Sequence, residues 1–305
     1  MKASLYKMGL NSIMIIFLTG ATGYIGSVVS GALQKAGHSV IGLARSDEAA
    51  GRLHLRSIAA HRGDLSSPLS LTGAALAADG VIHTGTTNNG ELDEASVRAM
   101  LDALAGTGKP FIYTSGVWVL GDTSRRVADE TWPVNPAALV AWRPGVEQLV
   151  LKASAQKTRA IVIRPAVVYG RGQGIPADLV DSARTTGAAR YVGRGENRWP
   201  VIDVDDLADL YVRALEKAPS GTVLLAADGS VHRVKEIAEA ASIGAGAGGR
   251  TQSWPLEEAR KTLGAYADAL VLDQQVSSEK ARSLLGWQPR ASDILEDLRL
   301  GSYLS

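Results

Sequence analysis

Three glycines at three-residue spacing, Gly20, Gly23 and Gly26, form a pattern that suits the binding of a diphosphate. They follow the short apolar run of residues 13–18, which predicts a buried strand. In a turn from strand to helix, Gly20 permits the tight bend and Gly23 lets the backbone approach a pyrophosphate. Gly26 lets the helix pack closely against the strand. The chemistry predicted for this stretch is therefore anion binding by main-chain amides.

The residues after this turn have helical spacing, with apolar side chains on one face. Those side chains are Ile25, Val28, Val29, Ala32 and Leu33. A helix that begins here presents free N–H groups and the positive end of its dipole to the phosphates. We therefore predict that Thr22, Tyr24 and Ile25, which lie between the glycines, also contact a dinucleotide cofactor. The alternative is a glycine-rich turn that binds nothing.

The end of the second predicted strand, residues 38–44, indicates which dinucleotide is bound. Folds that prefer NAD usually end this strand with an acidic residue that binds the ribose 2′-hydroxyl. Here Arg45 and Ser46 take that place, and both can bind a 2′-phosphate through charge-assisted hydrogen bonds. We therefore predict NADP(H) as the cofactor, ahead of NAD(H). An exposed arginine that binds no ligand is the alternative interpretation.

Polar residues near two further predicted strands are candidates for the same site. Asp64, which precedes Leu65, can accept a hydrogen bond from the adenine amino group, or it can be the N-cap of the segment that starts at Ser66. Thr84 ends the fourth predicted strand and leads into a loop of glycine, threonine and asparagine, residues 85–90. Ligands of open α/β sheets bind at this edge of the sheet.

No metal site is predicted from the sequence. The five histidines lack the spacing of metal ligands, and we interpret His83 as a packed strand residue. The adjacent acids Asp205 and Asp206 are better explained as helix caps than as metal ligands or acid–base groups. The absence of cysteine excludes disulfides, thiolate catalysis and cysteine metal sites.

Composition and charge exclude several classes of partner. The 305-residue chain has a formal net charge of +1 and no polybasic tract, which argues against nucleic acid and anionic membrane surfaces as partners. The apolar run of residues 13–18 is too short to span a bilayer. It continues directly into the glycine pattern, so we expect it to be a strand and not a secretion signal. We expect a cytoplasmic protein with a dispensable N-terminal extension, residues 1–12.

The alternation of predicted strands and helices favours an α/β fold with a doubly wound parallel sheet, a Rossmann fold. We predict a dinucleotide-binding domain over residues 13–170, to which residues 201–230 return. Residues 171–200 and 231–305 would form a smaller substrate-binding part, because the regular pattern loosens after Gly170. Two helices are predicted from Glu91 to Ala105 and from about Pro136 to Ala153.

The sequence resembles the extended short-chain dehydrogenase/reductase family, the relatives of nucleotide-sugar epimerases. The motifs that carry the resemblance cover nearly the whole chain in the family's order. They are residues 19–26, Gly63-Asp64-Leu65, Arg164-Pro165 with Val168-Tyr169-Gly170, Val204-Asp205-Asp206, and Leu285-Gly286-Trp287 with Pro289. The resemblance implies a smaller C-terminal substrate domain and a homodimer formed by the two helices named above. On these motifs, Leu65 and Arg164 join the predicted cofactor contacts.

The chain departs from the family at the catalytic residues. Family members use a serine and a Tyr-x-x-x-Lys motif, in which the tyrosine transfers the substrate proton and the lysine lowers its pKa. The corresponding positions are Leu139 and Arg143, and no tyrosine in the chain is followed four residues later by lysine. Gly116 takes the usual serine position, with Ser115 just before it. Leucine cannot transfer a proton, and arginine is a poor acid at neutral pH.

The proton must then come from another group, and we take Ser115, Arg143 and Tyr169 as candidate catalytic residues. Arg143 can bind the nicotinamide ribose or polarise a carbonyl, and an exposed helix position is its alternative. Ser115, Tyr113, Tyr169, a bound water or the substrate can supply the proton. Tyr169 can instead be an aromatic residue of the pocket wall.

Three functions remain open on the sequence. The first is an NADP(H)-dependent oxidoreductase that reduces a carbonyl or a polarised double bond of a small molecule. The second is a nucleotide-sugar epimerase or dehydratase, which needs the proton transfer that the missing tyrosine performs. The third is a non-catalytic NADP(H)-binding sensor or scaffold, whose nucleotide-bound state a partner recognises.

Overall fold

A computed structural model describes residues 13–304, so the extension predicted at residues 1–12 lies outside the described residues. Most strands coincide with the apolar runs of the sequence. In chain order the strands are β1 (Ile15–Thr19), β2 (Ser39–Ala44), β3 (Ala59–Arg62), β4 (Gly80–His83), β5 (Pro110–Thr114), β6 (Val127–Ala128), β7 (Arg159–Pro165), β8 (Val167–Tyr169), β9 (Ala189–Val192), β10 (Arg198–Trp199), β11 (Val201–Asp203), β12 (Thr222–Ala226), β13 (His232–Arg233), β14 (Thr251–Trp254) and β15 (Gln275–Val276).

Helices alternate with the strands through most of the chain. The α-helices are α1 (Tyr24–Lys35), α2 (Asp47–His54), α3 (Pro68–Ala77), α4 (Gly90–Leu104), α5 (Arg143–Lys152), α6 (Ile175–Thr186), α7 (Val204–Lys217), α8 (Val234–Gly244), α9 (Leu256–Leu263), α10 (Ala265–Leu270), α11 (Glu279–Leu285) and α12 (Ile294–Leu300). Short 3₁₀ helices span Val117–Leu120, Ala138–Val140 and Ala153–Gln156.

Seven strands form one parallel sheet in the order β12-β7-β5-β4-β1-β2-β3. Its central strands are buried on both faces, which explains why they are near-continuous apolar runs in the sequence. The strand order reverses between β1 and β4, so a crevice opens at their carboxyl ends. The predicted doubly wound α/β fold is confirmed.

A second cluster of buried residues lies outside the sheet, where α6, α8 and α12 pack against β9 and β8. Residues 171–200, where the sequence loses its regular pattern, contain α6, β9 and β10. The helix forms because Pro176 stands in its first turn while Leu179, Val180 and Ala183 are buried on one face. The abundant glycines of this segment had obscured that spacing.

Residues 276–287 return to the core of the sheet, although the sequence assigned them to the substrate-binding part. Val276, Leu285 and Trp287 are buried in the same cluster as β1 and β7. The Trp287 indole N–H donates to the Asp206 carbonyl at 2.9 Å, which satisfies the one polar atom of a buried ring.

Two local predictions need correction. The helix expected from Pro136 begins only at Arg143, because Pro144 occupies its first turn and disfavours helix before it. The cap of α7 is Asp203 and not Asp205 or Asp206, since the Asp203 carboxylate accepts from both of their backbone N–H groups at 2.7 and 3.4 Å.

Candidate functional site

A groove of about 540 Å³ lies at the carboxyl ends of β1, β2 and β4, where the strand order reverses. Of the predicted cofactor residues, all except Arg164 line it. These are Gly20, Thr22, Gly23, Tyr24, Ile25, Gly26, Arg45, Ser46, Asp64, Leu65 and Thr84. Residues from four separate segments therefore meet in one groove, as a dinucleotide site in this fold requires.

The glycine turn shapes the floor of the groove through close backbone contacts. Gly20 has φ of +71°, a conformation that favours glycine. A Cβ on Gly26 would lie 2.2 Å from the Gly20 carbonyl oxygen, whereas Gly23 is exposed and its Cβ would be 3.2 Å from the same atom. The turn is thus compact at Gly26 and open at Gly23, which fits a diphosphate at the mouth of α1.

Basic and polar side chains line the end of the groove beyond β2. Arg45 and Arg52 lie there with Ser46, whose hydroxyl also accepts from the Ala49 N–H at 3.1 Å as the N-cap of α2. The Asp64 carboxylate accepts bonds of 2.8 and 2.7 Å from the backbone and hydroxyl of Ser66. These bonds, with a smaller contribution from Arg45, hold the pKa of Asp64 below its usual value.

Arg164 is engaged away from the groove. Its guanidinium forms a bidentate ion pair with Glu147 of α5, with N···O distances of 2.9 and 2.6 Å. Both side chains are buried, so the pair joins β7 to α5 inside the protein. The predicted cofactor contact of Arg164 therefore requires correction, because Glu147 occupies the direction in which its fork points.

A second cavity, of about 290 Å³, adjoins the groove through Tyr24 and Ile25, which line both. Its other lining residues are mostly apolar and come from both parts of the chain. They are Asn88, Ser115, Gly116, Val117, Trp118, Leu139, Val140, Arg143, Pro165, Ala166, Val167, Val168, Gly174 and Ile175. The groove and the cavity therefore share a wall formed by Tyr24 and Ile25.

Two polar side chains of this cavity have buried atoms without a hydrogen-bond partner. Ser115 is 6% exposed and its hydroxyl Oγ has no partner within residues 13–304. Arg143 donates from one terminal nitrogen to the Thr114 carbonyl at 2.9 Å, while its buried Nε has none. These are two of the three residues that we predicted to be catalytic, and the structure brings them together.

Tyr169, the third predicted catalytic residue, is held inside the protein. It is 1% exposed and its hydroxyl donates to the Ser292 carbonyl at 2.7 Å. Tyr113 is equally buried, and its hydroxyl donates to Asp93 at 2.6 Å. Burial raises the pKa of both phenols, which makes them weaker acids. The catalytic prediction for Tyr169 is therefore corrected. Tyr169 is a core residue whose hydroxyl hydrogen is already donated to the Ser292 carbonyl.

A buried network, which we call the Asp93 network, lies beneath the groove and reaches its lining at Gly85. The Asp93 carboxylate accepts from the Trp142 indole at 3.1 Å and pairs with His83 Nε2 at 3.3 Å. His83 Nδ1 meets the Thr19 hydroxyl at 2.7 Å, and that oxygen accepts from the Gly85 N–H at 3.1 Å. A neutral His83 with its proton on Nε2 satisfies every one of these partners. The packed strand position predicted for His83 is what the structure shows.

Several lining residues escaped sequence reasoning. Trp118 and Ile175 reach the cavity from a 3₁₀ helix and from α6, and no local motif marks either one. Asn88 lies in the predicted ligand loop, and its φ of +55° is uncommon for a residue other than glycine. Arg52 lies on α2, seven residues after Arg45, which precedes that helix, and no local motif marks Arg52 as a groove residue.

Comparison with known proteins identifies the family. The model of the NAD dependent epimerase/dehydratase family matches residues 16–227, which include all the lining residues of the groove and of the cavity. The chain belongs to this family. An uncharacterized protein of Saccharomyces cerevisiae is 35% identical over 297 residues, which cover 94% of this chain and 98% of that protein. The resemblance noted in the sequence is thereby confirmed.

Other family members with named activities are more distant. A 2-alkyl-3-oxoalkanoate reductase of Stenotrophomonas maltophilia is 29% identical over 226 residues, 68% of this chain and 67% of the reductase. The UDP-glucose 4-epimerase of Thermus thermophilus, solved in complex with NAD, has a TM-score of 0.78 at 19% identity, covering 95% and 98% of the two chains. The epimerase of Thermotoga maritima, solved with UDP-glucose, reaches 0.81 at 19% identity and the same coverage. These structures show the shared fold alone.

Within residues 13–304, no helix combines the length and the apolar character that crossing a bilayer requires.

Proposed function

We propose that this protein is an NADP(H)-dependent reductase that adds hydride to the carbonyl carbon of a small molecule. The observation that carries the proposal is the pair of unpartnered buried groups, Ser115 Oγ and Arg143 Nε, in an apolar cavity beside the groove. A buried polar group left without a partner costs about 1–3 kcal/mol. A ligand oxygen that accepts from these groups would recover that cost.

The side chains of the cavity suit charge stabilisation better than proton transfer. When bound, a reduced nicotinamide dinucleotide supplies a hydride to the carbonyl carbon and becomes oxidised, and a proton from water completes the alcohol. Arg143 stabilises the negative charge that develops on the oxygen, since a guanidinium keeps its protons at neutral pH. Its bond to the Thr114 carbonyl fixes its orientation. Ser115 donates a second hydrogen bond to the same oxygen.

The preference for NADP(H) is supported by the charge at the end of the groove. Arg45, Arg52 and the Ser46 hydroxyl lie together where a 2′-phosphate would be bound. Arg52 has Glu48 at 3.9 Å, whereas Arg45 has no ion-pair partner in the described part of the chain. A doubly charged phosphate would pair with Arg45 more strongly than a ribose hydroxyl would.

The activity is tested by following NADPH oxidation with a panel of ketones and aldehydes. Arg143→Met should lower kcat/KM about 10²- to 10³-fold, the loss expected for one group that stabilises an oxyanion. Arg98→Met, at an exposed arginine of α4 paired with Glu94, is the matched control and should leave the rate unchanged. Full activity in Arg143→Met, or no consumption of NADPH with any carbonyl compound, would refute the proposal.

The cofactor preference is tested by fluorescence titration with NADPH and NADH. Loss of one charge-assisted contact in Arg45→Ala should weaken NADPH binding about 10- to 100-fold, while NADH binding stays within twofold. Arg98→Ala should change neither. Equal losses for the two cofactors would show that Arg45 does not recognise a 2′-phosphate.

A further inference from the structure

The substrate cavity points to a more specific ligand than a carbonyl compound in general. Resting on the proposed reductase function, we propose that the cavity selects apolar carbonyl compounds, with an alkyl or aryl body and one oxygen bound by Ser115 and Arg143. Nucleotide sugars and small polar ketones would be excluded. The inference rests on which side chains surround the two unpartnered polar groups.

The walls of the cavity are mostly apolar, and Asn88 is the one polar side chain of the lining besides Tyr24, Ser115 and Arg143. Apolar side chains from four separate segments contribute, and they are Val117, Trp118, Leu139, Val140, Val168 and Ile175. Transfer of each methylene from water to such surroundings is favourable by about 0.8 kcal/mol. Hydroxylated substrates would leave their polar groups without partners against these walls, at a cost of about 1–3 kcal/mol for each group.

Leu139 has a central place in this selection. It lies in the 3₁₀ helix Ala138–Val140 and packs partly against the main core cluster. It also holds the position where the family resemblance expects the proton-transferring tyrosine. The hydroxyl that would meet a sugar is therefore replaced by two methyl groups, which favour an apolar substrate body.

Trp118 forms another part of the wall, and its position is supported by a ring that is not among the lining residues of the cavity. Its ring meets the Tyr266 ring edge-on, with centroids 6.0 Å apart and planes at 65°. Such contacts add about 0.5–1.5 kcal/mol to the burial of the two rings. The contact with Tyr266 of α10 thus fixes the Trp118 ring, so the ring is in place before a ligand binds.

The charges of the cavity do not suit a sugar diphosphate. Among its lining residues Arg143 is the one charged side chain, and a terminal nitrogen of its guanidinium is already bound to Thr114. A nucleotide sugar brings a diphosphate with two negative charges, which proteins bind with several cations or with a row of main-chain N–H groups. Arg143 alone can balance the partial charge of one carbonyl oxygen.

The experiment measures kcat/KM with NADPH for straight-chain methyl ketones from 2-butanone to 2-nonanone. The apolar walls predict a rise of about fourfold for each added methylene until the cavity is full. Hydroxyacetone should react poorly, and UDP-glucose should be neither converted nor bound. In Leu139→Asn the rise per methylene should flatten to below twofold, while NADPH affinity stays unchanged. Leu284→Asn, at an exposed leucine of α11, is the matched control and should keep the wild-type series.

The outcomes separate this inference from the proposed function. If short polar ketones are reduced as well as 2-nonanone, the reductase function stands and apolar selection is overturned. The same holds if Leu139→Asn retains the wild-type dependence on chain length. Conversion of UDP-glucose would overturn both, as would failure to reduce any ketone.

Discussion

Replacing Gly26 of α1 with alanine should destabilise the protein and weaken cofactor binding, whereas the same change at Gly31 of this helix should stabilise it. The Cβ added at Gly26 would lie 2.2 Å from the Gly20 carbonyl oxygen and 2.7 Å from the Thr84 hydroxyl oxygen. The first distance is about 1 Å too short for an ordinary contact, and backbone lies on both sides of it. The mouth of α1 must therefore move away from β1, which disturbs the amides predicted to bind the diphosphate.

Two magnitudes follow from this displacement. Overpacking of this kind lowers the free energy of unfolding by about 1–3 kcal/mol. A shift of about 1 Å in a binding group costs on the order of 100-fold in function, so NADPH should bind roughly 100-fold more weakly. We expect both losses in Gly26→Ala, measured by urea unfolding and by fluorescence titration with NADPH.

Gly31 provides the matched control, because it lies in the same helix one turn further on. A Cβ there would meet a terminal nitrogen of Arg56 at 3.8 Å and nothing closer. Alanine should stabilise this helical position by about 0.5–1 kcal/mol and leave NADPH affinity unchanged. NADPH binding by Gly26→Ala within twofold of wild type would refute the assignment of the diphosphate to this turn.

Three further predictions concern stability. Glu147→Gln leaves Arg164 charged and buried, so the free energy of unfolding in urea should fall by about 3–5 kcal/mol, and a smaller loss than 1 kcal/mol would contradict the buried pair. Partial burial raises the pKa of Asp203 from 3.8 to about 6, so its contribution to stability is lost as pH rises through that range. Asp203→Asn keeps an acceptor for the cap and does not titrate, so its melting temperature should rise relative to that of the wild type as the pH is raised from about 4 to 6.5. A difference in melting temperature that does not change with pH would argue against the raised pKa. Thr19→Val removes the hydroxyl that meets His83 and should cost about 1–3 kcal/mol in urea, an effect that Thr19→Ser should reverse.

The parts of the fold that depend on local signals could be predicted from the sequence. The first strand and its turn combine an apolar run, three glycines and a helical repeat, and each signal lies within a few residues of the next. The predicted residues of the groove were found for the same reason, since they lie at or shortly after the ends of β1, β2, β3 and β4. Parallel strands bring their carboxyl ends to one edge, so residues such as Arg45 and Thr84 had to meet.

Residues whose roles depend on distant partners could not be predicted. Arg164 belongs to a family motif, but its partner Glu147 is 17 positions away on another element, and only the packing of α5 on β7 joins them. Tyr169 is the last residue of β8, yet its hydroxyl donates to the carbonyl of Ser292, 123 positions later. The apolar cavity was also missed, because Ile175 comes from a helix hidden among glycines.

The Asp93 network has a consequence for how sequences of this family can diverge. Each residue of the network, from Thr19 through His83 and Asp93 to Trp142, supplies a hydrogen-bond donor or acceptor to the next residue. Replacing one of these residues leaves a buried donor or acceptor without a hydrogen-bond partner. Replacing all of them together by apolar side chains leaves no such group on their own side chains. Homologues should therefore retain these residues as a set or replace them as a set. Covariation of these positions among homologues would then report the contacts that the residues make with one another.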